Sequence, residues 1–70
     1  MKCYMEISYT YERNKSFLPP VAIVEVEAVD GELNKHLADK ALNKIQEKYP
    51  ERHIYMIDYK YFGNAIEIIR

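Results

Sequence analysis

Residues 30–50, DGELNKHLADKALNKIQEKYP, decide how the rest of this sequence is read. Leu33, Leu37, Ala38, Ala41, Leu42, Ile45 and Tyr49 recur at the three- and four-residue spacing of an amphipathic helix. Asp30 is placed to cap its amino end, and Pro50 forbids its continuation. The segments before and after alternate with period two, so this helix is the one element able to cover a sheet.

Upstream, residues 2–11 put Cys3, Met5, Ile7, Tyr9 and Tyr11 on one face and Lys2, Tyr4, Glu6, Ser8 and Thr10 on the other, a half-buried strand. A polar turn and the stiff Phe17-Leu18-Pro19-Pro20 segment lead into a second strand over 21–29. Phe17 and Leu18 are expected to close the open end of the core. Glu25 and Glu27 must face water, because an unpaired buried carboxylate is costly; Ala22, Val24, Val26 and Ala28 then face the core.

Downstream, residues 53–61 and 65–70 read as a hairpin around Gly63-Asn64, the glycine supplying positive φ. That register puts Tyr55, Ile57, Tyr59, Tyr61, Ile66 and Ile68 on the core face. It also pairs Lys60 with Glu67 across the opposite face. The expected fold is α+β, a ββαββ order in one domain. Its four-stranded, mostly antiparallel sheet, in the order 2-1-3-4, carries the helix on one face.

The bulk composition narrows the function classes. Seventy residues lie near the lower limit for a single apolar core, so stability is expected to be modest unless a partner adds burial. Ten basic residues against eleven acidic argue for neither nucleic acid nor a strongly cationic target. The single cysteine excludes an internal disulfide and a cysteine-based zinc site; on the apolar phase of its strand, Cys3 reads as a packed core thiol. A reducing, cytoplasmic setting is expected, with no membrane-length apolar run and no signal-peptide core at the amino terminus.

An enzyme reading fails on inventory. Ser8 and Ser16 lie in no nucleophile-elbow setting, His36 and His53 have no partner at metal-ligand spacing, and Gly31 and Gly63 both serve turns. No cofactor and no metal are expected.

Two surfaces remain. A single helix covers one face of the sheet, which leaves Tyr4, Val21, Ile23, Ile54, Met56, Phe62, Ala65 and Ile69 as an apolar strip edged by charges. The expectation is a protein-interaction module that either forms a homodimer or docks on a larger protein through Tyr4, Ile23, Met56, Phe62 and Ile69. Compact, tyrosine-rich, mildly acidic chains do occur among accessory and mobile-element proteins, an analogy of composition alone. The alternative is nucleic-acid binding through Lys35, Lys40, Lys44, Lys48 and Lys60. His36, Lys40, Lys44 and Lys48 draw a line that drifts by about 40° per step and borders the core-directed arc. Lysines so placed lay their stems over apolar surface and lift the ammonium into water.

Overall fold

In the computed structural model, residues 1–12, 18–63 and 69 are described. Three strands, β1 (Lys2–Tyr11), β2 (Val21–Glu27) and β3 (Ile54–Gly63), and one helix, α1 (Asn34–Lys48), follow in the order β1-β2-α1-β3. The sheet is antiparallel with β1 in the middle, order β2-β1-β3, which matches the first three places of the expected order. The expected fourth strand lies almost wholly outside the described residues, and Ile69, its one described member, belongs to no strand.

The core is the intersection of two periodicities. Cys3, Met5, Ile7 and Tyr9 of β1, with Val26 of β2, lie buried against Leu37, Ala38, Ala41 and Ile45 of α1. Ala38 and Ala41 let the helix approach the sheet closely, while Leu42 and Tyr49 are half-buried at its margins. Cys3 is fully buried, and burial pushes its thiol up, so it stays protonated and packs as a small apolar group.

The helix starts later than its sequence signals suggest. Its N-cap is Leu33, without a side-chain cap, and Asp30 stands in a preceding turn with Gly31 at φ +78°. In that turn Glu32 N–H donates to the Val29 carbonyl, and Val29 N–H donates back to the Glu32 carboxylate. Thus Glu32, not Asp30, organises the approach to the helix, and Leu33 is turned outward, 64% exposed. At the other end Tyr49 leaves helical geometry ahead of Pro50, as the residue before proline must. Leu18 is also exposed and does not close the core, while Phe17 lies outside the described residues.

The largest departure from expectation is the phase of β3. Tyr11 pairs with Ile54 and Tyr9 with Met56, but Ser8 pairs with Asp58, so Ile57 is an extra residue, a β-bulge. A second irregularity makes Phe62 extra between the Met5–Tyr61 and Tyr4–Gly63 pairs. Ile54 and Met56 therefore face the helix, whereas Tyr55 and Ile57 do not join the core as their spacing suggested; both are exposed. The physical reason lies in the sequence IYMIDYKYF, which is apolar in both phases at its start. Carrying the phase of Ile54 and Met56 straight through would bury Asp58 and Lys60. The bulge at Ile57 changes phase, so Tyr59 and Tyr61 pair with Ile7 and Met5 on the helix side of the sheet, yet both stay exposed and, contrary to expectation, join no core.

Gln46 fixes where β3 begins. Its Nε2 donates to the carbonyls of Tyr49 (3.0 Å) and Arg52, and its Oε1 accepts the Ile54 N–H at 3.1 Å. On a helical wheel Gln46 falls outside the apolar stripe, on the solvent-facing back, yet in the fold it is half-buried and ties the helix end to the strand. Arg52 completes this end by lying over the rings of Tyr11 (4.5 Å) and Tyr49 (4.8 Å).

Candidate protein-contact face

The sheet face turned away from α1 is built from alternate residues of all three strands. Across it run the rows Glu25–Tyr4, Ile23–Glu6–Lys60 and Val21–Ser8–Asp58, given directly by the strand register. Phe62 sits at the end of the first row. The Lys60 ammonium lies over its ring at 5.5 Å, which puts the ring on the same face as Lys60. Among the described residues no element covers this face, and Val21 and Ile23 are about half exposed, 53% and 50%.

Of the five residues expected here, the structure brings together three. Tyr4 stands on the central strand, Ile23 one row away on β2, and Phe62 beyond Tyr4 on β3. Met56 is removed by the bulge at Ile57 and is half-buried against the core beside Ile54. Ile69 is 84% exposed and lies in no described strand. Tyr55 is an addition: paired with Thr10, it points to the outer face and stacks on His53 with ring centroids 4.8 Å apart. The apolar strip is consequently narrower and more interrupted by charge than expected. The cross-strand neighbour of Lys60 among the described residues is Glu6, and Glu67 lies outside them.

Electrostatics give this face a fixed pattern. The Tyr4 hydroxyl donates to Glu25 at 2.9 Å and Lys2 lies 3.5 Å from the same carboxylate, so Glu25 is held below the usual carboxylate range, chiefly by the tyrosine hydrogen bond. The same bond raises the Tyr4 phenol. Glu27 is lowered by the amino terminus at 2.8 Å, and Glu32 by Lys40 and the Val29 N–H. Each of these carboxyls is more acidic folded than unfolded. Their stabilisation is therefore complete above the ordinary value of 4.5 and is lost as pH falls through the lowered values. A thermal midpoint that is level from neutral pH to about pH 5 and drops below it is expected. Tyr4→Phe should move the carbon-13 titration of the Glu25 carboxyl upward toward 4.5. An unmoved titration in that variant would remove the assigned cause.

The lysines of the alternative surface occupy a different place. Lys40 Nζ donates to the Glu27 carbonyl at 3.0 Å and meets the Glu32 carboxylate at 2.7 Å; Lys44 Nζ donates to the Glu25 carbonyl at 2.6 Å. Both carbonyls belong to β2, an edge strand, so the two lysines cover backbone groups that a foreign strand would otherwise use. Lys35 is exposed on the helix, Lys48 lies 5.6 Å from the Tyr49 ring, and Lys60 is on the outer sheet face. The five thus form no single patch. Sequence spacing revealed that the lysine line borders the core; it could not reveal the carbonyls at the border, because these depend on how α1 lies on β2.

Among the described residues no group of histidine, cysteine and carboxylate side chains could hold a metal ion, and no helix is long and apolar enough to cross a membrane. Comparisons with family models, with curated proteins and with solved structures each find no match.

Proposed function

We propose that this chain acts by protein contact rather than catalysis, with the outer face of its sheet as the contact surface. The homodimer and docking on a larger protein are the two forms this contact takes. The observation that supports the reading is the uncovered juxtaposition of Tyr4, Ile23 and Phe62 amid Glu6, Glu25 and Lys60. Aromatic and aliphatic anchors ringed by charge are the usual composition of a contact patch. A small domain also gains most from the burial a partner adds. A lone buried cysteine accords with a reducing compartment such as the cytoplasm. Nucleic-acid binding is left with less support, since Lys40 and Lys44 are engaged at the β2 edge.

The test is a paired comparison. Ile23→Asp and Phe62→Asp should each leave the circular dichroism spectrum intact, since both side chains face outward. Each should weaken self-association, or capture of a purified partner, by at least about tenfold. Met56→Asp should instead lower thermal stability, because that side chain packs on the core. A chain that remains monomeric at high concentration, and whose captured partners bind both outward variants unchanged, would remove the outer face from consideration.

A further inference from the structure

The guard on the β2 edge stops one step short, and that gap has the features of a strand-binding site. The register fixes which backbone groups of β2 point away from β1. Tyr9 N–H donates to the Pro20 carbonyl and Ala28 N–H to the Met1 carbonyl, so the even-numbered residues between them turn toward β1. Val21, Ile23, Glu25 and Glu27 accordingly turn theirs outward. Lys40 covers the carbonyl of Glu27 and Lys44 that of Glu25. The next lysine in the series, Lys48, instead lies over the Tyr49 ring, and among the described residues no group bonds the outward amides and carbonyls of Val21 and Ile23.

Beside this open stretch runs a groove of about 380 Å³ between β2 and α1. Tyr9, Ala22, Val24, Ile45 and Tyr49 give it an apolar floor, and Lys44 and Lys48 give it positive charge. Glu25 borders the groove too, but Tyr4 and Lys2 hold its carboxylate on the opposite face of the sheet. An unpaired strand edge next to an apolar groove binds extended chain: main-chain hydrogen bonds supply affinity and alternate side chains enter the groove. The charge selects the occupant, since Lys48 meets no carboxylate among the described residues, and an ammonium so placed beside the edge favours an acidic segment.

We infer that the groove between β2 and α1 takes a short, extended, acidic segment of a protein partner, which pairs with Val21–Ile23 and sets a carboxylate against Lys48. This site shares Ile23 with the outer sheet face, but it uses the backbone of that residue and does not depend on the contact proposed for that face.

The experiment is a titration of nitrogen-15-labelled protein with an acetylated, amidated peptide of alternating valine and glutamate. Amide shifts should concentrate at Val21, Ile23, Glu25 and Lys44–Tyr49 and should saturate below about 1 mM. Glutamine in place of glutamate, or Lys48→Gln in the protein, should weaken binding by about five- to tenfold. Methylation of the peptide nitrogens that face β2 should abolish it. Lys48 is exposed, so its replacement leaves the fold intact, which the dispersion of the same spectra verifies. Absence of shifts, equal binding of the glutamine peptide, or shifts confined to Tyr4 and Lys60 would overturn the proposal. So would concentration-dependent shifts at Val21 and Ile23 without peptide, which would make the occupant a second copy of this chain. Phe62→Asp separates the two surfaces: it should leave peptide binding unchanged even where it ends association through the outer face.

Discussion

Replacing Ile7 by alanine is expected to abolish cooperative folding. Ile7 is fully buried on the central strand, with Ala22 on one side, Tyr59 on the other and the helix above. Truncating such an isoleucine costs about 2–5 kcal/mol, part transfer and part cavity. A single-core domain of this size rarely has more than about 3–5 kcal/mol to lose. Urea titration followed by circular dichroism should therefore show a broad, non-cooperative change at room temperature. Ile23→Ala is the internal control: the same residue type in the neighbouring strand, half exposed on the opposite face, should cost less than about 1 kcal/mol. Equal effects at the two positions would mean that the outer face is buried in solution, which would itself point to self-association.

The second large effect is expected at Gln46. Gln46→Ala removes at once the acceptor of the Ile54 N–H and the donor to the Tyr49 and Arg52 carbonyls. Ile54 is a buried residue, so its amide has little access to replacement water. An unsatisfied buried polar group costs about 1–3 kcal/mol, and the loss is expected near the upper end because three backbone groups share one side chain. Hydrogen exchange locates the effect: protection of the Ile54 amide should fall at least about tenfold. Protection in the centre of β1 should follow only the global loss. If the Ile54 amide stays protected and the urea midpoint holds, Gln46 does not anchor the strand.

These two residues mark how far the sequence could be read. Ile7 is legible because strict alternation over 2–11 permits one inward phase only, and its neighbours Cys3, Met5 and Tyr9 agree. Gln46 is not legible, because a helical wheel scores it as polar and outward. Its burial arises from the chain turning back at Pro50 and crossing the helix end, which local periodicity does not contain. Met56 failed for a related reason. In residues 54–57 both phases are apolar, so period two has two solutions, and the bulge at Ile57 uses each in turn. The candidate face was accordingly readable at Tyr4, Ile23 and Phe62, and misread at Met56.

Sequence by itself determined the α+β class, the boundaries of β1, the helix stripe of Leu37, Ala38, Ala41 and Ile45, and the inward and outward faces of β2. Each of these follows from one unambiguous periodicity or from the cost of burying a carboxylate. Only the tertiary structure decided that Glu32 rather than Asp30 organises the approach to the helix. It alone decided that β3 changes phase midway, and that Lys40 and Lys44 cover the β2 edge while Lys48 leaves it open. Those features rest on backbone groups meeting side chains from distant positions, and a linear pattern carries no information about where a carbonyl from another strand will lie.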